Sequence, residues 1–189
     1  MNPNKIEILW REILKEIGDN PDRKGLKDTP KRISTMYQEI YRGYDKLKKP
    51  KITTFENNED GIKYGGMVCD KGHFFSYCEH HGIPFFGEYF FGYVPDKKLI
   101  GLSKVARIVD YYSSKLQIQE RLTKQIADEL ESTLTPRGMV LIIKARHLCK
   151  EMRGVRKIGG EMVTSEVRGC FRENKNGIRE EFFSIMKLI

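Results

Sequence analysis

No run of apolar residues approaches the 18 or so that a membrane-spanning helix needs, which excludes a helical membrane protein. The first ten residues lack an apolar core followed by small residues, so a secretory signal is not expected and a cytoplasmic location is. Cysteine is scarce. Four in 189 residues are too few for a disulfide scaffold, and in that compartment they are expected to stay reduced. Internal repeats and low-complexity tracts are absent too. Acidic side chains are in deficit, 26 against 34 Lys and Arg, and the net charge of +8 calls for an anionic partner. Nucleic acid, nucleotide and anionic membrane surface all satisfy that demand. What is present suffices for one soluble domain: 39% hydrophobic and 32% charged residues, in a chain long enough to bury a core.

The pattern divides near residue 50. Over residues 4–17, Ile6, Leu9, Trp10, Ile13, Leu14 and Ile17 recur at helical spacing. A second helix is expected from Thr29 as N-cap and Pro30 at the first helical position, with Gly43 as its end. The lysine-rich stretch 45–51 reads as a linker, giving an N-terminal helical segment over 1–50 and a second unit over 51–189. In that second unit, residues 85–94 read as a strand with Gly87 and Gly92 as weak points. Ser103 opens a helix carrying Val105, Ile108, Val109 and Tyr112. Leu122, Ile126, Leu130 and Leu134 form a second helical stripe, stopped by Pro136 and Gly138. Residues 139–145 are a buried strand and 163–171 another, 174–177 a turn, and 182–189 either helix or strand. Strands, two helices, then strands predict an α+β domain with the helices on one face of a sheet.

Chemistry concentrates in Ser76-Tyr77-Cys78-Glu79-His80-His81, where three of the eight Cys and His side chains fall within four positions. A second cluster, His147-Leu148-Cys149, ends the strand at 139–145. If that strand continues, His147 and Cys149 share a face. A turn brings Cys78 and His81 to one side. Two thiolates and one imidazole make a Cys2His set for zinc with a fourth position left for water, the pattern of a catalytic site. The competing reading makes all four cysteines small buried hydrophobes, or links Cys78 to Cys149 as a disulfide. His80 and His147 then act either as general acid and base or as groups orienting the ligands.

These segments, together with Gly101-Leu102-Ser103-Lys104-Val105-Ala106-Arg107-Ile108-Val109, Gln117-Ile118-Gln119-Glu120-Arg121-Leu122-Thr123 and Met152-Arg153-Gly154-Val155-Arg156-Lys157, resemble the GTP cyclohydrolase I family in order and spacing. The likeness runs from about Thr29 to Phe183. It implies the tunnelling fold, an antiparallel sheet with two helices on one side, and one zinc per subunit on Cys78, His81 and Cys149. It implies catalytic roles for His80, His147 and Ser103. It implies guanine reading by Glu120 with Gln119 beside it, and triphosphate binding by Lys104, Arg107, Arg153 and Arg32. Family members form a ring-shaped homodecamer, two pentamers with sites between subunits. Lys157-Ile158-Gly159-Gly160-Glu161 departs from the more polar stretch of familiar members, and Arg146 precedes the histidine.

The implied reaction converts GTP to formate and 7,8-dihydroneopterin triphosphate, the first step toward folates and pterins. Guanine presents two parallel donors, N1–H and the 2-amino group, which one carboxylate accepts together; adenine presents an acceptor at N1. Glu120 also reads simply as a first-turn carboxylate, and Lys104 and Arg107 as a solvated helix face. Two rival functions stand beside this one. The basic run Lys144, Arg146, Lys150, Arg153, Arg156 and Lys157 suits a zinc-bearing nucleic-acid module. A related reductase of the same fold would use a cysteine nucleophile and a nicotinamide cofactor, and would not need His81 and Cys149 together.

Overall fold

A computed structural model describes residues 1–189. Helix α1 (Pro3–Glu16) begins where the Asn2 side-chain oxygen accepts the Lys5 N–H at 3.1 Å. Helix α2 (Thr29–Ile40) starts one residue earlier than its sequence suggests. Asp28 stands at the cap without a capping hydrogen bond, and Thr29 is already helical. The two helices pack as a hairpin, with Ser34 Oγ donating to Pro3 O at 2.7 Å and Trp10 edge-on to Tyr37.

Gly43 does not end α2, which stops at Ile40; it sits buried in a single 3-10 turn, Arg42–Tyr44. Its N–H donates to Ser114 O at 3.0 Å. A Cβ there would overlap the Tyr111 carbonyl oxygen and lie 2.7 Å from that of Ser114, so only glycine allows the backbones to meet. Beside this contact Tyr41 packs edge-on against Tyr77, ring centroids 5.4 Å apart. A second 3-10 turn, Lys46–Lys48, occupies the expected linker.

The rest of the chain is built on a five-stranded sheet. Strands β1 (Thr54–Glu56) and β4 (Lys98–Ile100) pair as a separate small ribbon. In the main sheet, β2 (Val68–Cys78), β3 (Pro84–Val94), β6 (Gly138–His147) and β7 (Glu161–Gly169) are antiparallel neighbours in that order. The two-residue β5 (Leu116–Gln117) adds in parallel at the outer edge of β2. Strand β2 leaves no clear trace in the sequence, because Asp70, Lys71, Gly72 and His73 interrupt its apolar alternation until Phe74. Strand β3 runs unbroken through both of its glycines. At Gly87 a Cβ would overlap the Lys144 carbonyl oxygen, so the missing side chain lets β6 close in.

Helices α3 (Lys104–Ser113) and α4 (Gln119–Leu134) cover one face of this sheet. Alternation puts Phe74, Phe85, Tyr89, Phe91, Met139, Leu141 and Ile143 on that face, against Val105, Ile108 and the α4 stripe. Leu122, Ile126, Leu130 and Leu134 are each 0% exposed, and burying each such side chain contributes about 1.5–3 kcal/mol. This is the α+β architecture with two helices on one side that the resemblance implies. The four-residue helices α5 (Leu148–Glu151) and α6 (Cys170–Glu173) turn the chain after β6 and β7. The terminal segment resolves as a helix, α7 (Ile178–Met186), which lays Phe182 on the opposite face against Val140 and Phe171. No helix is long and apolar enough to cross a membrane.

Candidate metal centre

Cys78 is the last residue of β2, and the chain reverses directly after it. The Cys78 carbonyl accepts the Gly82 N–H at 2.8 Å, and Gly82 takes a φ of +65°. This turn carries His80 and His81 back toward the sulfur, each Nδ1 lying 3.6 Å from Cys78 Sγ. Cys149 arrives from two strands away. The strand does not continue to it; β6 ends at His147, and Cys149 lies in the helical turn α5. His147 and Cys149 therefore do not share a strand face.

The ligand atoms of Cys78, His81 and Cys149 all lie within 4.8 Å of one another. A tetrahedral zinc with bonds of about 2.3 Å to sulfur and 2.0–2.1 Å to nitrogen sets such atoms about 3.5–3.8 Å apart. A contraction of about 1 Å therefore closes the set. All four cysteines are free thiols. Burial, and then the adjacent Cys78 sulfur, push the Cys149 thiol above its ordinary pKa, while Arg153 pulls the other way. Two thiolates at this distance repel, so a cation is what would hold both deprotonated. The donor set fits a soft or borderline metal and leaves one tetrahedral place open.

His147 is held from two sides. Its ring stacks on Phe85 with centroids 4.6 Å apart and planes within 2°. Its Nε2 lies 2.8 Å from Gln119 Oε1. Burial lowers its pKa, against the neighbouring Glu120 charge, which raises it, and Lys150, which lowers it further. His80 is exposed beside the cysteine.

The residues named for the substrate divide. Glu120 lies exposed in the first turn of α4, next to His147, with no hydrogen-bond partner of its own. Arg153 is close enough to Cys149 to act on its thiol. Gln119 is not available to a substrate. It is 1% exposed, and its amide donates to Ile143 O, Met162 O and Thr164 Oγ1 at 2.9–3.1 Å while its oxygen faces His147. Ser103, Lys104 and Arg107 stand at the start of α3 and Arg32 on α2. None of these four makes a hydrogen bond or ion pair to the cluster, and Arg32 pairs only loosely with Asp28 at 4.0 Å. Ser103 takes the cap position of α3 without a capping bond, which leaves its hydroxyl uncommitted.

Two supports of the site were invisible in the sequence. Arg121 grips Glu79 with both guanidinium nitrogens, at 2.5 and 2.7 Å, tying the ligand turn to α4. Arg146 clasps the almost buried Glu151 at 2.6 and 3.0 Å, folding α5 and its cysteine back on β6. Neither pair sits at a helical or strand spacing that would announce it; only the observation that Arg146 is unusual pointed there.

Comparison with known proteins adds an independent finding. The family model for GTP cyclohydrolase I matches residues 6–187. The GTP cyclohydrolase 1 of Thermobifida fusca is 47% identical over 173 residues, 90% of this chain and 82% of that protein. The Helicobacter hepaticus protein of that name is 42% identical over 96% of this chain and 86% of its own length. That of Clostridium kluyveri is 41% identical and aligns over the full length of both chains.

Proposed function

The chain belongs to the GTP cyclohydrolase I family, and from that premise we propose how its residues perform the family's reaction. GTP and water become formate and 7,8-dihydroneopterin triphosphate, the entry to folate and pterin synthesis; two waters are consumed in opening and deformylating the imidazole ring, and one is released when the new ring closes. The observation that carries the reading is the closure of Cys78, His81 and Cys149 around one point from two distant segments.

Zinc, one per subunit, is the metal we assign there; bound, it would supply a water acidified to a pKa of about 7. The protein's own groups do the rest. Glu120 accepts guanine N1–H and the 2-amino group together and orients the base. His147 delivers the proton that N7 needs as C8 is hydrated, and His80 relays protons beside the cysteine. Ser103 serves the later enolisation steps on the opened ribose. Lys104, Arg107, Arg153 and Arg32 bind the triphosphate.

From the family resemblance we take the sites as shared between subunits of a homo-oligomer, a decamer of two pentamers; Ser103, Arg107 and Arg32 are exposed and free for that role. In that assembly the first 50 residues act as an arm on the catalytic unit. Light scattering that returned a monomer active on GTP would remove this part. Four free thiols fit a reducing cytoplasm. The direct test of the reaction is incubation with GTP, with formate and pterin fluorescence read with and without a chelator. Formate release that chelation abolishes is expected. No formate from zinc-loaded protein overturns the reading.

A further inference from the structure

His147 can receive a proton on either ring nitrogen, and which one it uses decides which nitrogen is left to act on a substrate. Stacking on Phe85 fixes the ring plane, yet a half-turn about Cβ–Cγ keeps that plane and exchanges nitrogen for carbon at both positions. The hydrogen bond to Gln119 removes this freedom, provided the Gln119 amide itself cannot turn over.

The surrounding groups prevent it from turning. The Gln119 nitrogen faces two carbonyl oxygens, Ile143 O at 2.9 Å and Met162 O at 3.1 Å, which only accept. A reversed amide would set oxygen against both of these buried acceptors and an NH2 against His147. A closed circuit gives the same answer. Thr123 Oγ1 donates to the Gln119 carbonyl at 2.8 Å, because that oxygen has no proton to give. Thr123 must then accept from Thr164 across their 2.6 Å contact. Thr164 in turn accepts from the Gln119 amide nitrogen at 3.1 Å. Each donor in the circuit has one consistent direction, and Gln119 and Thr123 are at most 2% exposed. The amide oxygen is therefore the atom presented to His147, and it accepts.

We infer that Gln119 is a positioning residue that holds neutral His147 as the Nε2–H tautomer, leaving Nδ1 as the nitrogen that exchanges protons with the substrate. Nδ1 makes no hydrogen bond within the chain, so it is the ring atom free for that work. The inference rests on the proposed role of His147 only for its consequence; the tautomer follows from the hydrogen bonds alone. As a neutral group, Gln119 fixes the proton without adding charge beside the metal ligands.

The test reads the proton itself. The zinc-loaded protein is labelled with 15N at its four histidine rings and examined by solid-state NMR at mildly alkaline pH, with His147 assigned by the signals lost in His147→Asn. A protonated Nε2 and a bare, pyridine-type Nδ1 are expected. A proton on Nδ1 in neutral His147 overturns the inference, whether or not the protein turns over GTP. Kinetics give the second readout. Gln119→Met should mix the tautomers and lower kcat about tenfold to a hundredfold, with KM for GTP within about threefold. A raised KM with unchanged kcat would make Gln119 a substrate contact and sink the assignment. Arg168→Ala loosens the same contact between α4 and β7 away from the circuit, so the His147 tautomer and kcat should stay within about threefold of the parent. A loss there equal to that of Gln119→Met would show a merely structural region.

Discussion

Helix α4 is fastened to strand β7 at both ends, by opposite means. At its N-terminal end the seam is neutral: Gln119, Thr123 and Thr164 close a circuit of hydrogen bonds that runs in one direction. Toward its C-terminal end the seam is ionic. Arg168 of β7, with a side chain 13% exposed, reaches Asp128 and Glu131 on the helix and Glu166 on its own strand, at 2.5–2.9 Å. Burial opposes the Arg168 charge, but the bonds to Asp128, Glu166 and Glu131 outweigh it and raise its pKa. An ionic seam with three acceptors tolerates the loss of one and has no preferred direction for a proton. A neutral seam is brittle, but it sets proton positions next to chemistry without shifting the charge there. The first suits the end that only holds the helix, and the second the end that carries the site.

That contrast can be broken at either end. The largest effect is expected beside the neutral seam. Cys149→Ala should lose metal and turnover together, activity falling by several orders of magnitude while the circular dichroism of the fold persists. Stoichiometric metal in the purified variant would contradict the ligand set. Glu120→Gln, one residue from Gln119 but outside the circuit, should raise KM for GTP about tenfold or more, as expected for a broken bidentate contact, with little change in thermal midpoint. An unchanged GTP affinity would remove its role in reading guanine. At the ionic seam Arg168→Ala should cost about 2 kcal/mol in denaturant unfolding, with kcat preserved, since several charge-assisted hydrogen bonds and a buried stem are lost far from the metal ligands. If turnover fell as steeply as stability, the division of labour along α4 would be wrong.

The smallest effect concerns acid. The Arg168 hydrogen bond, ahead of a smaller opposing burial effect, holds Asp128 below the usual carboxylate pKa. A depressed folded-state pKa means that its contribution is complete above the ordinary value of about 3.9 and is lost as pH falls through the lower folded value. Arg168→Ala should therefore flatten the acid limb of stability against pH. An identical limb in parent and variant would show that the seam does not titrate as a unit.

The α4 stripe shows what was legible beforehand and why. Leu122, Ile126, Leu130 and Leu134 announce themselves because burial imposes helical spacing on apolar residues, and all four reach the core. The candidate ligands are legible for another reason: a metal demands rare residue types, so Cys78, His81 and Cys149 stand out although strands separate them. Strand β2 stayed hidden because polar residues occupy its first half. For Gln119 the resemblance implies a place beside the guanine reader, and only the seam between β6 and β7 shows that its amide is engaged inside. Pairs such as Arg121 with Glu79 depend on tertiary approach, and nothing local encodes them.

The backbone contact at Gly43 has a consequence for how the chain can vary. The stretch that follows the two N-terminal helices meets the rest of the chain at a point where hydrogen alone fits between main chains. At this spot a methyl group meets peptide carbonyls, which have no rotamers with which to yield. A larger residue at position 43 would therefore have to part the Arg42–Tyr44 turn from the Tyr111–Ser114 backbone, and with it the seat of the two helices that precede it.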